Sequence, residues 1–397
     1  MSEEHSRAYR GWRMVAVCFV VATLAWGFGF YGQGVYLAHL LQLRGWSLSL
    51  VSGAVTGFYF VSALMVAFVA DWMGRFGAPR VVAGGMVATG AATAALGLAR
   101  EPWQLYAVYL LMSLGWASTS LAAITTILGM WFSARRGLAV SLALTGASAG
   151  GILVVPALQA LIDARGFENA MLTGGALLAF VGAPLALWLI EAPAAPAAAN
   201  AARPVAQRKG ELLRSFRFWS IAGPFAVVWV TQTAFLTHEI NIFAPAVGTA
   251  GAAGAVAATT FAAVAGRLVM GSFVDRLDKR LTTALSVVSQ AAALVALALW
   301  PHPAVIWAAA MIYGLSVGNV ITLPALIVQH EFDPHAFGGV VALLTSVTQM
   351  FGAFGPALLG VGRDFAGGYG FPLVCCALLN VCAGAAILLL KPERAAS

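Results

Sequence analysis

Charged side chains are scarce in this sequence. Only 9% of the 397 residues are Asp, Glu, Lys or Arg, whereas 61% are hydrophobic and the mean hydropathy is +0.87. A soluble globular protein has about 25% charged residues, and it needs them to cover its surface. The composition therefore excludes a water-soluble fold, and the abundance of apolar residues excludes a disordered chain. Lipid is the solvent that fits such a chain.

Residues for metal binding and catalysis are also few. The 4 cysteines lie in apolar runs without the spacing of a metal site, so we interpret them as core thiols. The predicted spans contain no cluster of catalytic acids, nucleophiles or metal ligands, which argues against an enzyme. No Gly-x-x-x-x-Gly-Lys-Ser/Thr motif is present, so a gradient must supply the energy for any transport. The sequence predicts no cofactor and no metal.

Long apolar runs are what the sequence has in abundance. A bilayer-spanning helix needs about 20 residues, and their continuous apolar character favours helices over strands. The sequence predicts an all-α membrane protein with twelve transmembrane helices in two pseudo-symmetric six-helix bundles. The predicted spans are 12–38, 48–70, 81–99, 103–130, 137–161, 170–190, 218–245, 252–274, 281–300, 304–329, 337–361 and 370–390.

The 22 Lys and Arg residues divide unevenly between the two sides of the membrane. With the N-terminus inside, seventeen lie on the inner side, and Arg267 lies within a span. The remaining four, on the outer side, are Arg44, Arg100, Arg165 and Arg363. Cytoplasmic loops of membrane proteins collect basic residues. The asymmetry predicts both termini on the cytoplasmic side of an inner (plasma) membrane, and it explains the net charge of +7 without a nucleic-acid partner.

A linker divides the chain into two halves. Residues 191–217 form the longest connection between predicted spans, are rich in Ala and Pro, and end in basic residues. This composition is typical of a linker. It separates a first six-helix bundle (1–190) from a second (218–397).

The halves repeat each other at an offset of about 200 residues. Pro156 of the fifth span matches Pro356 of the eleventh, and Asp71 after the second span matches Asp275 after the eighth. Their common order favours duplication of one six-helix unit.

The segment after the second span reads Asp71-Trp-Met-Gly74-Arg75-Phe-Gly77. It resembles the signature loop of the major facilitator superfamily, in which an Asp ends the helix and a Gly-Arg pair makes the turn. A second copy, Asp275-Arg276, follows the eighth span. The resemblance covers the whole chain, and it implies a transporter that works by alternating access.

Three stretches are similar to the monocarboxylate-porter and oxalate/formate-antiporter branch of that superfamily. They are Trp131-Phe-Ser-Ala-Arg135-Arg136-Gly137, Gly266-Arg267, and Gly355-Pro356 with the later Asp364 and Tyr369. The resemblance implies a small organic anion as substrate. Monocarboxylate porters carry an Asp one turn before the Arg of the eighth span and a Lys in the first span. This chain has Ala263 at the position of that Asp and no Lys in the first span. The proton relay of those porters therefore does not carry over.

Arg267 is the basic residue in mid-span. It lies eight residues before Asp275, about 12 Å inside the cytoplasmic end of the helix at 1.5 Å per residue. An Arg there costs about 2.5–3.5 kcal/mol on insertion scales and usually has a function. Because a guanidinium binds a carboxylate through two hydrogen bonds, we predict that Arg267 binds the substrate. The alternative is a structural ion pair with an acid from another helix.

Glu239 is the candidate for proton coupling, together with His238, which titrates near neutrality. Glu239 lies about 30 Å along its helix from Trp219, so we expect a wet position near the outer boundary. An acid of the outer vestibule without any coupling is the alternative.

Other polar and aromatic residues recur at helical spacing, which marks faces turned away from lipid. By resemblance, the wall of the substrate cavity includes Tyr31, Gln33, Tyr59, Trp116, Tyr313, Asn319 and Gln349, although helix packing is an alternative for each. Charged residues at the cytoplasmic helix ends are predicted to form a gate that opens between two packings. These residues are Asp71, Arg75, Arg135, Arg136, Asp275, Arg276 and Arg280.

The leading functional prediction is a monomeric secondary transporter in the lipid bilayer that moves a small monocarboxylate with a proton. An organic-anion exchanger and a drug/proton antiporter are alternatives of the same class. A non-transporting membrane sensor is the alternative from a different class.

Overall fold

The computed structural model describes residues 6, 9–132, 135–191, 206–273, 277–332 and 337–390. Within these ranges every regular element is helical and no strand occurs. The chain forms two compact units, Met1–Asn200 and Ala201–Ser397.

Six long helices form the first unit. They are α1 (Gly11–Arg44), α2 (Leu48–Val66), α3 (Ala78–Leu98), α4 (Pro102–Trp131), α5 (Leu138–Arg165) and α6 (Phe167–Leu189). Three of them contain a π-helical segment, at Gly27–Tyr31, Gly150–Val154 and Leu178–Gly182. A short helix, Val69–Phe76, follows α2. Helix α4 is interrupted at Ser120, whose ψ is 175°.

The second unit begins with a helical stretch, Phe216–Phe273, that contains two spans. Its backbone leaves the helical region at Gly248, where φ is 73°. Glycine adopts a positive φ without steric cost, so Gly248 joins α7 (216–247) to α8 (249–273). The remaining long helices are α9 (Lys279–Leu299), α10 (Pro303–Glu331), α11 (Phe337–Gly352 and Gly355–Ala366) and α12 (Gly370–Leu389). A short helix, Ala206–Arg214, lies in the region predicted as a linker.

These helices confirm the predicted all-α, twelve-span fold. Eleven helices of the described chain are long and apolar enough to cross a membrane, with Phe216–Met270 counted as one. The break at Gly248 divides that one in two. The connection predicted at 246–251 is therefore shorter in the structure, because the helix resumes directly after the single residue Gly248.

Helix ends follow local backbone chemistry. Asp278 begins α9 by accepting hydrogen bonds from the backbone N–H groups of Arg280 and Leu281, at 2.9 and 3.0 Å. Gly45 and Gly367 end α1 and α11 in the left-handed region, with φ of 64° and 69°.

Helices α5 and α11 are interrupted at equivalent places. The π segment of α5 ends two residues before Pro156, and α11 breaks between Gly352 and Gly355, directly before Pro356. The two prolines are those that suggested an internal repeat of 200 residues. Matching interruptions at matching positions support duplication of one six-helix unit.

Candidate functional site

Arg267 lies where α8 and α10 are in backbone contact. A Cβ atom on Gly318 of α10 would lie 1.9 Å from the carbonyl oxygen of Ala263 and 3.1 Å from the backbone nitrogen of Arg267. A Cβ atom on Gly266 would lie 2.3 Å from the carbonyl oxygen of Leu315. Small residues permit this close approach of membrane helices. Gly318 therefore sets the position of the helical turn that carries the half-buried Arg267.

Two other predicted binding residues are Asn319, which lies beside this contact on α10, and Gln349, which lies on α11. Asn319 follows Gly318, is buried, and directs its side-chain Nδ2 toward Ser286 of α9, at 3.4 Å from Oγ. Gln349 lies half-buried on α11. Asn319 is thus adjacent to the α8–α10 contact, but its amide group faces α9.

Glu239 is enclosed by protein. Only 1% of its surface is exposed, and its Oε1 accepts a hydrogen bond from the Thr259 hydroxyl of α8. Its Oε2 is buried without a hydrogen-bond partner among the described residues. The expectation of a wet position was wrong, because it considered the helix alone and not the helix that packs over it.

His238 points to a different set of neighbours. Its Nε2 lies 3.0 Å from the carbonyl oxygen of Pro356, and its Nδ1 lies 3.0 Å from the Tyr369 hydroxyl. A carbonyl oxygen only accepts, so Nε2 carries the hydrogen, and in the neutral ring Nδ1 accepts from Tyr369. His238 joins α7 to α11, whereas the adjacent Glu239 joins α7 to α8.

An aromatic cluster collects three of the predicted cavity residues of the first unit. The ring of Phe30 lies 5.1 Å from Tyr31, 5.9 Å from Tyr59 and 6.3 Å from Trp116, measured between ring centroids. Trp116 also packs on Gly29, where a Cβ atom would lie 2.6 Å from the indole ring. The structure therefore brings Tyr31, Tyr59 and Trp116 together around one phenylalanine.

Gln33 lies next to this cluster but is fully buried. Its Nε2 donates to the carbonyl oxygen of Gly29 at 2.8 Å, and the Tyr36 hydroxyl donates to that of Phe28 at 3.0 Å. Both carbonyls belong to the π segment of α1. A π turn disturbs the regular helical ladder, so side chains often satisfy its backbone groups. Gln33, predicted as a cavity wall residue, supports the π segment.

Arg280, predicted as a gate residue, forms a buried cluster at one end of the second unit. Its Nε and Nη2 donate to the Glu331 carboxylate at 2.7 and 2.9 Å. Its Nη1 donates to the Ile387 carbonyl at 2.7 Å, and Nη2 also donates to the Ser220 hydroxyl at 3.0 Å. Arg280 thus connects the ends of α7, α9, α10 and α12. Its partner Glu331, 51 residues further along the chain, was not predicted from the sequence.

The other predicted gate residues are only partly described. Asp71 and Arg75 are exposed, and the Arg75 guanidinium lies 5.3 Å from the centroid of the Phe76 ring. Arg135 is half-buried. Asp275, Arg276 and the side chain of Arg136 lie outside the described residues, so the gate remains a prediction.

A model of the Major Facilitator Superfamily matches residues 16–356, which is most of the chain. The chain belongs to the major facilitator superfamily. It is 30% identical over 408 residues to "Monocarboxylate transporter 11" of Mus musculus, covering 92% of this chain and 84% of the relative. The same-named protein of Homo sapiens is 32% identical over 287 residues, covering 66% of this chain and 57% of the relative.

Solved structures agree with the superfamily fold. A bacterial homolog of the human lysosomal transporter Spinster, inward-facing and unoccupied, superposes with a TM-score of 0.79, 15% identity, and 97% coverage of both chains. The nucleoside transporter NupG gives a TM-score of 0.74 at 14% identity, covering 96% of this chain and 98% of its own. The chain is thus a multi-pass membrane transporter of the major facilitator superfamily and not an enzyme.

Proposed function

We propose that this transporter moves a small monocarboxylate together with a proton by alternating access. Arg267 carries the proposal, because it places a permanent positive charge six residues inside the end of α8. The two relatives named monocarboxylate transporter 11 support the same substrate class. From the distribution of Lys and Arg, we further propose cytoplasmic termini in a plasma membrane. A monomer is part of the same proposal.

The surroundings of Arg267 suit a small anion. Ala263 and Gly266, one turn before it and directly before it, lie in the close contact between α8 and α10, which fixes the turn that carries the side chain. A guanidinium presents parallel N–H groups that match the two oxygens of a carboxylate. One guanidinium for one carboxylate favours a monocarboxylate over a dicarboxylate.

Glu239 is the proposed proton carrier. Its carboxyl group is enclosed between α7 and α8, and an ionised carboxylate is costly to bury without compensating hydrogen bonds. A proton that binds there neutralises the group while the carrier changes conformation. His238 is assigned the lesser role of holding α11 beside the proton site through Pro356 and Tyr369.

Uptake into proteoliposomes tests the anion site. Labelled lactate is the probe, with and without an acidic exterior. We expect Arg267→Ala to abolish uptake, and Arg267→Lys to raise KM about tenfold or more because a Lys cannot form the two-point contact. Arg165→Ala, at an exposed helix end, is the matched control. Uptake at normal KM in either Arg267 variant would refute the assignment.

The proton role is tested in the same vesicles. We expect the wild-type protein to concentrate lactate when the exterior is acidic, and Glu239→Gln to exchange lactate without any response to the pH gradient. If Glu239→Gln still responds to the gradient, another group carries the proton. Exchange without pH dependence in the wild-type protein would favour an organic-anion exchanger.

A further inference from the structure

Two fully buried polar groups where α7 meets α10 lack hydrogen-bond partners within the part of the chain that the structure describes. They are Oε2 of Glu239 and the hydroxyl of Tyr313. Buried polar groups in proteins are almost always hydrogen-bonded, so each exception requires an explanation. One of these groups is an acceptor when ionised, and the other carries a donor hydrogen.

Packing brings the two side chains into the same junction. Phe235, one helical turn before Glu239, packs on the Tyr313 ring with 4.2 Å between ring centroids. Gly314, directly after Tyr313, faces α8 so closely that its Cβ atom would lie 2.2 Å from the Thr259 carbonyl oxygen. Thr259 is the residue whose hydroxyl binds Oε1 of Glu239.

We propose that the Tyr313 hydroxyl is the second hydrogen-bond donor to Glu239 after this carboxyl group releases its proton. The inference rests on the proposed proton role of Glu239. In the protonated acid, Oε1 accepts from Thr259 and Oε2 carries the proton, so Oε2 offers Tyr313 no strong acceptor. When the O–H bond at Oε2 breaks, the proton passes to water and Oε2 becomes an acceptor. Tyr313 keeps its own hydrogen and donates it to Oε2.

The neighbouring groups leave this role to Tyr313. On α12, Cys376 is buried, and a thiol is only a weak hydrogen-bond donor. From α8, Thr259 already serves Oε1, and Arg267 lies eight residues further along, roughly 12 Å away along the helix axis. From α11, Pro356 and the following Tyr369 engage His238. Tyr313 is therefore the group that can donate a hydrogen bond to Oε2 after Glu239 loses its proton.

Infrared titration of the purified full-length protein in lipid nanodiscs tests the proposal. The carbonyl band of a protonated buried carboxylic acid is followed against pH, and Glu239→Gln identifies the band. Tyr313→Phe removes a donor to the charged form, so we expect the midpoint to move to higher pH by about one to two units. Thr259→Val should move it in the same direction.

The first unit offers a matched control. Tyr109 lies 204 residues before Tyr313, the same offset that relates Asp71 to Asp275, and its buried hydroxyl also lacks a partner among the described residues. Tyr109→Phe makes the same chemical change away from Glu239 and should leave the midpoint unchanged. Because the Tyr313 hydroxyl makes no hydrogen bond to the residues that the structure describes, Tyr313→Phe should fold as well as the wild-type protein.

The outcomes distinguish a failure of the proton role of Glu239 from a failure of the hydrogen-bonding role of Tyr313. If no band sensitive to Glu239→Gln titrates, the proton role of Glu239 fails. If that band titrates but Tyr313→Phe leaves its midpoint unchanged, the proton role stands and the role of Tyr313 is refuted. In vesicles, we expect Tyr313→Phe to shift the pH dependence of lactate uptake in the alkaline direction.

Discussion

Replacing Gly318 by Ala would place a methyl group inside the contact between α8 and α10. The added carbon would lie 1.9 Å from the Ala263 carbonyl oxygen. Nonbonded heavy atoms rest about 3.5 Å apart, so the two helices must separate locally by up to roughly 1.6 Å. The turn of α8 that is displaced is the one that carries Arg267.

The effect on stability should be small, because two contributions oppose each other. Overpacking costs about 1–3 kcal/mol, whereas Ala in place of a helical Gly gains about 1 kcal/mol. The effect on binding should be larger. A hydrogen bond to a charged group contributes about 1.5–3 kcal/mol, and losing one changes affinity by about ten- to a hundredfold.

Lactate uptake by Gly318→Ala, with KM and maximal rate determined separately, measures this effect. We expect KM to rise at least tenfold while the apparent melting temperature changes little. Gly223→Ala is the control, since the added Cβ atom meets nothing within 4 Å. A normal KM in Gly318→Ala, with helices still folded, would show that the α8–α10 contact does not position the anion site.

Two further predictions concern stability. Glu331→Gln leaves the Arg280 guanidinium buried without its counter-charge, so we expect a loss of about 3–5 kcal/mol in thermal or denaturant unfolding. The double change Arg280→Met with Glu331→Leu should cost less than Glu331→Gln, and an equal or larger cost would contradict the account of this ion pair. Tyr36→Phe removes the donor to the Phe28 carbonyl in the π segment and should cost about 1–3 kcal/mol. An unchanged melting temperature would show that the carbonyl finds another partner.

The fold could be predicted from sequence because the solvent imposes it. In lipid, each span must satisfy its own backbone hydrogen bonds, so length and apolar composition identify the helices directly. The loop after α2 and its second copy, Asp275-Arg276, indicated the superfamily, which the family match confirms. The largest boundary error was at the end of α1, which extends to Arg44 and not to residue 38, and at Gly248 one glycine replaces an expected loop.

The candidate site could be predicted only in part. Arg267 was found because a charge in a long apolar run is visible in sequence alone. Gly318, Thr259 and Glu331 were missed, because their importance lies in contacts with other helices. Only the spacing of Gly314 and Gly318, four residues apart on one helix face, gave a signal for the α8–α10 contact.

By itself, the sequence determined which segments lie in the membrane, which side faces the cytoplasm in our proposal, and which charge is out of place. These properties depend on transfer of single segments from water to lipid, and composition controls that transfer. The tertiary structure decided that Glu239 is enclosed, that Gln33 supports a π segment, and that Arg280 pairs with Glu331. Those outcomes depend on which helices meet and at what distance, because the same side chain is wet or buried according to the helix packed against it.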